Sequence, residues 1–425
     1  MYTVEMINKV IVYLFFLCYA YQFVYLAVGL LARKRPRTER SPSHRIAVLI
    51  AARNEEAVIG QLLDSLAQQD YPKELVDVYV GADNCTDRTA DLARAHGATV
   101  FERFDSRHVG KGYVLSFLLR RIALVAEAPY DAYLVLDADN VLAPDYLRAI
   151  EARFAQGYQI VTSYRNSKNY GDNWISAGYA LWFLRESRYL NGARMALGCS
   201  CAVSGTGFLF SQRVLERCDG WNYFLLTEDI EFTVDNIIAG ETIGYAADAV
   251  LYDEQPTEFA QSWRQRLRWS RGYLQVFRKH GLGLLRGIAR GSFSCYDMAM
   301  NILPAAVLTG LSVAVNLAAS AWGFVSGGAL AALGASVLRT AASLYLTVFF
   351  LGAVTTVTEW RSILCPRWKK LLYTFTFPLF MMTYIPICIA SLFTGAEWKP
   401  IRHCRSMSLQ EVRMGAASRS PIRRR

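Results

Sequence analysis

The chain has 425 residues, 53% of them hydrophobic, and carries a formal net charge of +10 at pH 7. That apolar fraction is high for a purely soluble protein, so the composition indicates one sizeable folded domain together with membrane-associated segments. The positive charge does not indicate a nucleic-acid partner, because the basic residues concentrate beside apolar runs and along residues 264–279. Anionic lipid and a pyrophosphate-bearing ligand explain them better. The nine cysteines show no C-x-x-C metal spacing, and we interpret them as small core residues.

An uncharged run from Val10 to Ala32 lies near the start of the chain. It is long enough to cross a hydrocarbon core of roughly 30 Å, and it exceeds the apolar core of a cleaved signal peptide, which is the alternative. The basic stretch 33–37 follows directly, and positive charge beside a span is retained on the cytoplasmic side. We therefore predict an N-terminal transmembrane helix with a basic linker over residues 1–40, followed by a cytoplasmic domain.

Strand-like and helical patterns alternate through the next hundred residues. Buried-strand runs occupy residues 45–52, 77–82, 99–101 and 132–136. Strands separated by helices in this way predict an α/β domain with a mostly parallel sheet and helices on both faces. Ligands bind beyond the carboxyl ends of such strands, which is where Arg53, Asp83 and Asp137 fall.

Behind the domain, three uncharged runs predict about three further spans within a membrane region at residues 296–396. They cover residues 298–338, 340–358 and 371–396. Gly327 and Gly328 are typical of a turn between the first two. Pro378 and Pro386 could fold the last run into a re-entrant or interfacial hairpin.

The basic tail, residues 397–425, could lie on either side of the membrane. One span before the domain and three after it would leave the tail outside, whereas its basic residues, ending in three arginines, favour the cytoplasm. We favour a cytoplasmic tail. In that case the segment 398–403 could close over the site of the domain.

Three short motifs stand at the ends of strand-like runs or at the starts of helical ones. They are Asp137-Ala138-Asp139, Thr227-Glu228-Asp229 and Gln265-Arg266-Leu267-Arg268-Trp269. Hard cations such as Mg²⁺ and Mn²⁺ take carboxylate oxygens together with substrate phosphate, a role that suits the first motif. An isolated D-x-D is more often a solvated turn, and an isolated Thr-Glu-Asp is often a capped helix start. All three in this order are hard to obtain by chance.

In this order the motifs resemble the membrane-embedded inverting glycosyltransferases of family 2, the group that includes cellulose, chitin and hyaluronan synthases and ceramide glucosyltransferase. The resemblance covers roughly residues 45–275. It implies a nucleotide-diphospho-sugar transferase domain of the GT-A type, flanked by N- and C-terminal transmembrane helices. The implied divisions are a domain at 41–270, with a donor half at 41–140 and an acceptor half at 141–270, and an interfacial amphipathic helix at 271–295.

The resemblance implies a donor-binding and metal-binding set. The donor-binding residues are Asn54, Glu55, Asp83, Lys111, Asp137 and Arg268. Asp139, with Asp137 beside it, is implied as the ligand of Mg²⁺ or Mn²⁺, which neutralises charge as the diphosphate leaves. Asp83 is implied to meet the uracil ring of a UDP-sugar, since a carboxylate can accept from an imide N–H. The guanidinium of Arg268 would grip the diphosphate.

The resemblance also implies an acceptor side. Asp229 is implied as the catalytic base that removes the acceptor hydroxyl proton, and Thr227 is expected to cap the helix that begins there. The acceptor-binding residues are Gly205, Thr206, Gly207, Gln265, Arg266 and Trp269. The glycines permit close backbone approach to a sugar, although a plain strand-entry turn would use them too. Trp269 would stack on a sugar; the alternative is an amphipathic helix at the membrane surface with snorkelling arginines.

Together these residues predict a multi-pass enzyme of the cell membrane that transfers a hexose or N-acetylhexosamine from a UDP-sugar to a growing polysaccharide. The alternative is transfer of a single sugar to a lipid acceptor, as in ceramide glucosyltransferase. A transporter or scaffold with a degenerate nucleotide domain is disfavoured, because Asp137, Asp139, Asp229 and Arg268 are present together. Membrane lipid is an expected further partner, and the sugar, the linkage and the oligomeric state stay open.

Overall fold

A mixed eight-stranded sheet forms the centre of the protein in this computed structural model. The described residues are 2–31, 43–302, 311, 314, 315, 318, 330–395, 403 and 405–414. The strands are β1 (Ile46–Ala52), β2 (Val76–Asp83), β3 (Thr99–Arg103), β4 (Ala132–Asp137), β5 (Val141–Leu142), β6 (Ile160–Ser167), β7 (Phe208–Ser211) and β8 (Ile243–Asp253). They lie in the order β3-β2-β1-β4-β7-β6-β8-β5.

Most of the strand pairs are parallel. Strand β1 pairs in parallel with β2 and β4, β2 with β3, and β6 with β8. The short strand β7 runs antiparallel to both β4 and β6, and β5 runs antiparallel to β8. The predicted α/β class with a mostly parallel sheet is therefore confirmed.

Helices cover both faces of the sheet and continue into the apolar C-terminal region. They are α1 (Tyr2–Tyr19), α2 (Tyr21–Leu31), α3 (Ile59–Ala67), α4 (Thr89–Ala95), α5 (Lys111–Val125), α6 (Tyr146–Phe154), α7 (Trp174–Arg185), α8 (Gly192–Ala196), α9 (Gln212–Arg217), α10 (Glu228–Ile238), α11 (Phe259–Ala289), α12 (Phe293–Ile302), α13 (Leu330–Thr358), α14 (Arg367–Met382), α15 (Tyr384–Phe393) and α16 (Leu409–Met414). Along β1, Ile46, Val48 and Ile50 enter one apolar cluster, while Ala47 and Leu49 enter the other. Because both faces are buried, such strands are continuous apolar runs in the sequence.

The N-terminal apolar run does not form the single straight helix expected from the sequence. It folds as α1 and α2, which bend by 41° at their junction and count at most as one broken span. The hydroxyls of Tyr21 and Tyr25 donate to Asp297 of α12 at 2.8 and 2.9 Å. These bonds hold α2 against α12, and α1 contacts the same helix through the Tyr19 hydroxyl, which donates to the Met300 carbonyl oxygen at 2.8 Å.

Two C-terminal segments of the described chain are long and apolar enough to cross a membrane. They are Ala341–Thr358, within α13, and Arg367–Phe393, which comprises α14 and α15. They match the second and third predicted spans. The first predicted span begins in α12, and most of its remainder, with Gly327 and Gly328, lies outside the described residues. The hairpin expected at Pro378 and Pro386 is wrong, because α14 and α15 follow one another as a single 27-residue apolar segment.

Helix α11 is continuous over 31 residues. The Q-x-x-R-W motif and the segment expected as a separate amphipathic helix at 271–295 therefore share one helix as far as Ala289, and α12 begins at Phe293. No helix boundary separates the two at residue 271. The C-terminal end of the domain thus leads into the membrane region without a break.

The membrane segment α14 packs directly on α7 of the domain. A Cβ built on Gly178 would lie 2.3 Å from the ring of Phe380, and that ring is 1% exposed. The two helices can approach this closely because residue 178 has no side chain. The domain and this membrane segment therefore share a tightly packed interface.

The described part of the C-terminal tail contacts the domain. His403 Nδ1 lies 3.0 Å from the Glu55 carboxylate, the Arg405 N–H donates to Glu254 at 2.9 Å, and the Arg405 guanidinium donates to Asp172 at 2.6 Å. Tail and sheet therefore lie on the same side of any membrane, as favoured from the sequence. That this side is the cytoplasm stays a prediction.

Gly178→Ala should destabilise the contact between α7 and α14, since the buried Phe380 ring leaves no room for a methyl group. Overpacking of this kind costs typically about 1–3 kcal/mol, and we expect a lower thermal unfolding midpoint for the detergent-solubilised protein. Gly60→Ala is the matched control, because a Cβ there would meet only the His96 ring, at 3.5 Å. Equal midpoints for Gly178→Ala and the wild-type protein would contradict the close packing.

Candidate active site

A cavity of about 1180 Å³ opens beyond the carboxyl ends of β1, β2 and β4. Residues from all three sequence motifs line it. The predicted site residues that do so are Glu55, Asp83, Lys111, Asp137, Asp139, Gly205, Asp229, Gln265, Arg268 and Trp269. The other four, Asn54, Thr206, Gly207 and Arg266, lie outside the lining, and each has a different position.

Asn54 joins two loops instead of facing the cavity. Its φ of 56° is left-handed, a conformation that asparagine tolerates better than most residues. Its Oδ1 accepts a hydrogen bond from the Thr86 N–H at 2.8 Å, which ties the loop after β1 to the loop after β2. Asn54 therefore supports the loop beside Glu55, and its expected contact with the donor stays a prediction.

Asp83 is buried at the end of β2 and is paired with basic side chains. Arg103 Nη1 donates to its Oδ1 at 2.5 Å, and Arg53 Nη1 lies 3.9 Å from its Oδ2. Arg103 belongs to no motif in the sequence. Its signal would have been the strand register, because the parallel pairing of β2 with β3 puts Asp83 directly beside Arg103.

Lys111 links two of the predicted elements of the site. It begins α5, its ammonium pairs with Asp137 Oδ1, and it donates to the Gly205 carbonyl oxygen at 2.9 Å. One cation therefore holds the D-x-D motif against the glycine loop. Both partners lie in the cavity wall.

Thr206 and Gly207 support that loop from outside the cavity. Thr206 Oγ1 accepts from the Asp137 N–H at 2.9 Å and donates to Asn140 Oδ1 at 2.6 Å. Gly207 has a φ of 66°, and a Cβ on it would lie 2.1 Å from the Leu251 side chain. These two residues thus shape the loop that carries Gly205, and their expected acceptor contacts stay predictions.

Asp139 is buried yet favours the ionised form. Burial acts to raise its pKa, but the charges of His403 and Lys168 and the Glu254 N–H, 2.7 Å from Oδ2, outweigh it, and the pKa of Asp139 lies below its ordinary value. Asp137 faces the same cavity. In the described ranges no three His, Cys, Asp or Glu side chains are grouped to hold a metal by themselves. This pair therefore fits a hard cation that completes its shell with substrate phosphate and water.

Asp229 lies in the first turn of α10, where the helix dipole favours negative charge. Burial is the main cause that raises the pKa of Asp229, with Lys111 and Arg268 acting against it. Burial, and then the neighbouring Asp229, raise the pKa of Glu228 to about 7. The pair binds a proton more readily than two exposed carboxyls would, which suits a general base.

Thr227 precedes α10 without capping it. Its side chain accepts no hydrogen bond from the helix, and its Oγ1 is buried with no hydrogen-bond partner in the described chain. It packs on α11, where a Cβ on Gly272 would lie 2.5 Å from Thr227 Oγ1. The expected capping role is wrong, and Thr227 instead sets how closely α10 and α11 approach.

Helix α11 presents Gln265, Arg268 and Trp269 to the cavity. These residues are spaced i, i+3 and i+4, so they share one helix face. Arg266 points the other way: it is fully buried and donates to the Thr383 hydroxyl at 2.6 Å and the Phe380 carbonyl at 3.2 Å. The expected acceptor contact of Arg266 is therefore corrected to a contact with the membrane segment. Helical spacing in the sequence would have separated it from its neighbours.

Arg268 and Trp269 are both held by neighbouring groups. Arg268 Nη1 donates to the Leu226 carbonyl at 2.9 Å, just before α10. A guanidinium has five N–H donors, so the others can serve a ligand. The Trp269 ring meets the Tyr179 ring edge-on, at 5.7 Å between centroids.

Several charged cavity residues were missed in the sequence, among them Arg165, Glu186 and Asp253. Arg165 Nε donates to Asp253 Oδ2 at 2.5 Å, and burial raises the pKa of Asp253 to about 6. Glu186 follows α7 in a π-helical turn, and burial raises its pKa too. Arg165 and Asp253 lie on the paired strands β6 and β8, which no motif marked.

His403 also lines the cavity and lies outside the predicted set. Burial acts to lower its pKa, but Asp139 and Glu55 together raise it to about 10, so the imidazole is protonated at neutral pH. The segment 398–403 was expected to reach the site. His403 does so, and residues 398–402 lie outside the described ranges.

The part of the cavity farther from the sheet is lined mainly by apolar side chains, with the polar side chains of Asn301, Ser343 and Thr347 between them. Its lining comes from α1 and from helices of the C-terminal membrane region, and includes Ile11, Val12, Phe15, Leu344, Val348, Leu351, Phe377 and Met381. One continuous cavity thus joins the carboxylates at the sheet to aliphatic and aromatic side chains of the membrane helices.

Two curated relatives share the sequence of this domain. Probable glycosyltransferase YdaM of Bacillus subtilis (strain 168) is 28% identical over 262 residues, which are 55% of this chain and 56% of the relative. A β-monoglucosyldiacylglycerol synthase of Synechocystis sp. is 28% identical over 242 residues, which are 56% of this chain and 49% of the relative. The chain spans about half the length of these relatives.

A solved structure shares the architecture. The mannosyltransferase PcManGT from Pyrobaculum calidifontis, in complex with GDP-Man and Mn²⁺, aligns with a TM-score of 0.58 and 18% identity, over 91% of this chain and 98% of that chain. At this identity the likeness concerns the fold alone, which is a GT-A-like domain with attached helices. Residues 42–272 match the model of a family described as glycosyltransferase like family 2. Since this match covers more than half of the chain, the protein belongs to glycosyltransferase family 2.

Proposed function

We propose that the protein transfers one sugar from a UDP-sugar to a lipid acceptor, with inversion at the anomeric carbon. The observation that carries this proposal is the single cavity that joins the charged site residues to apolar side chains of the membrane helices. A lipid with a polar, hydroxyl-bearing head and apolar chains matches both parts of such a cavity.

A polysaccharide acceptor, expected from the sequence, is the second candidate. A sugar polymer that leaves water needs hydrogen-bonding partners along its path, because unpaired hydroxyls are costly to bury. Apolar side chains outnumber polar ones such as Asn301, Ser343 and Thr347 in this part of the cavity, which suits lipid chains better than a sugar polymer. The likeness to a relative named as a β-monoglucosyldiacylglycerol synthase also supports the lipid acceptor.

In the proposed complex the donor diphosphate lies between Lys111 and Arg268, and Asp83 meets the uracil ring. Asp139, with Asp137, would hold Mg²⁺ or Mn²⁺, which supplies positive charge that stabilises the leaving diphosphate. Lys111 and Arg268 line the same cavity as these carboxylates and add fixed positive charge there.

In the transfer step Asp229 takes the proton of the acceptor hydroxyl. The hydroxyl oxygen forms a bond to C1 of the sugar, the bond between C1 and the β-phosphate oxygen breaks, and its electron pair leaves with the diphosphate. Attack from the face opposite the leaving group inverts C1. The raised pKa of Asp229 suits this step, because a base of higher pKa accepts the proton more readily.

Purified protein incubated with a radiolabelled UDP-sugar and lipid vesicles should produce a single labelled lipid that partitions into organic solvent. A water-soluble ladder of labelled products would contradict the proposal and favour the polysaccharide. Val348→Phe, which narrows the apolar part, should slow transfer to lipid and leave UDP-sugar hydrolysis unchanged. Val357→Phe on the same helix is the matched control, because Val357 is 71% exposed.

Asp139→Asn should abolish UDP-sugar turnover, since an amide cannot supply the anionic oxygen that a hard cation requires. Excess chelator should have the same effect on the wild-type protein, and added Mn²⁺ should reverse only the chelator's effect. An unchanged thermal unfolding midpoint would show that the variant is folded. Full activity in excess chelator would remove the metal from the mechanism.

Asp229→Asn should slow transfer by roughly 10²- to 10⁴-fold, as removal of a general base does, while UDP affinity stays near that of the wild-type protein. Wild-type transfer should decline as the pH falls through the raised pKa of Asp229, above the 3.8 of an ordinary aspartate, because the base becomes protonated. Glu228→Gln is the control, since it removes the neighbouring group that titrates at about 7. Loss of transfer in Glu228→Gln with retention in Asp229→Asn would exchange the two roles.

A further inference from the structure

A buried arginine lies between the catalytic carboxylates and the N-terminal apolar helices. Arg185 is the last residue of α7, is 8% exposed and lines the cavity. Its chain neighbour Glu186 is close enough to Ser204 and Asp229 for both to affect its pKa. Arg185 itself bonds to Gln22 of α2, which also lines the cavity.

The hydrogen bond that holds Arg185 goes to a neutral group. Its Nη2 donates to Gln22 Oε1 at 2.8 Å, and its guanidinium carbon lies 5.2 Å from the centroid of the Trp182 ring. Two other buried arginines nearby are bonded to carboxylates: Arg165 to Asp253 and Arg194 to Asp297. Arg185 thus differs from them in its partner.

The positive charge of Arg185 is only partly balanced by negative charge on neighbouring groups. Burial lowers its pKa to about 10, with the charge of Glu186 acting against this shift and that of Arg194 acting with it. The guanidinium is therefore protonated at neutral pH. Burial raises the pKa of Glu186, while the charges of Arg165 and Arg194 act to lower it, so Glu186 interacts with two further cations besides Arg185. A buried cation in such a site gains stability from an anion that a ligand brings.

We propose that Arg185 and Gln22 bind an acidic group, a phosphate or a carboxylate, on the lipid acceptor. The acceptor is then an acidic lipid and not a neutral one such as a diacylglycerol. This proposal rests on the proposed function, because it names the class of acceptor for the same cavity. A guanidinium offers two parallel N–H donors to the oxygens of such a group, and the Gln22 amide nitrogen can add another.

The cavity offers a contact for each part of an acidic lipid. The acidic group meets Arg185, the chains lie along side chains such as Phe15 of α1 and Met381 of α14, and a hydroxyl of the same head reaches Asp229. Anchoring by charge orients the head before transfer, so loss of the anchor should affect acceptor affinity more than the chemical step.

Direct binding tests the anion site without any transfer. Radiolabelled dioleoyl phosphatidic acid and dioleoylglycerol, which differ in the phosphate, are bound to the full-length protein in uncharged detergent micelles; oleic acid is the carboxylate probe. We expect tighter binding of the two acidic lipids, and a loss of roughly 10- to 100-fold for both in Arg185→Gln. Dioleoylglycerol binding should not change. Inorganic phosphate should compete only weakly, because it lacks the chains.

Variants control for charge and folding. Arg185→Lys keeps the charge and should restore part of the affinity for phosphatidic acid. Arg290→Gln removes an exposed arginine at the end of α11 and should bind as the wild-type protein does. UDP affinity reports folding in every variant and should stay unchanged. Equal losses for acidic and neutral lipids in Arg185→Gln, or equal binding of both by the wild-type protein, would overturn the anion site.

Transfer assays separate this proposal from the proposed function. With acidic lipid as acceptor, Arg185→Gln should raise the KM for the lipid and leave the KM for UDP-sugar and the rate of UDP-sugar hydrolysis unchanged. Transfer to neutral lipid alone, undiminished in Arg185→Gln, would overturn the acidic acceptor and leave lipid glycosylation intact. A polymer ladder with no labelled lipid would overturn the proposed function itself.

Discussion

Four carboxylates of the two acidic motifs line the cavity, and the cations that pair with them fix the positions of the neighbouring helices and loops. Asp137, Asp139, Glu228 and Asp229 come from two separate segments of the chain. Lys111 is the cation that bridges elements, because it pairs with Asp137 and donates to the Gly205 carbonyl. The residue after it, Gly112, has no room for a side chain: a Cβ there would lie 2.0 Å from the Tyr223 carbonyl oxygen. Helix α5 is therefore fixed between the D-x-D strand and the segment that leads into α10, and the electrostatic balance of the site depends on this backbone contact.

Helix α11 belongs to the site and to the membrane region at once. One of its faces presents Gln265, Arg268 and Trp269 to the cavity, and the adjacent Arg266 is bonded to residues of α14 and to Thr383 beyond it. A displacement of α14 would therefore be transmitted, within one turn of α11, to the residues that line the cavity. Helix α11 therefore connects the apolar C-terminal helices directly with the residues that line the cavity.

The sequence was sufficient for the sheet, because strands buried on both faces are continuous apolar runs that end where Asp83 and Asp137 stand. It was sufficient for the D-x-D and Thr-Glu-Asp motifs, whose chemistry depends on residue type. It was insufficient where tertiary packing decides the outcome. The pairing of Arg103 with Asp83 needs the register of β2 and β3, and the contribution of Arg165 and Asp253 needs the pairing of β6 with β8. The contact of α2 with α12 depends on tyrosines bonded to an aspartate more than 270 residues away in the chain, which no local pattern reveals.

The buried ion pair between Arg194 and Asp297 limits which fragments of this protein can fold by themselves. Arg194 belongs to the glycosyltransferase domain, Asp297 belongs to α12, and both side chains are 1% exposed. Asp297 also accepts the hydroxyls of Tyr21 and Tyr25 from the N-terminal helices. A chain cut before α12 would keep the guanidinium buried and lose its counter-charge, which is among the costlier defects a protein interior can carry. The catalytic domain and its membrane elements therefore form one folding unit, and a soluble fragment cut at the domain boundary would lack part of its own core.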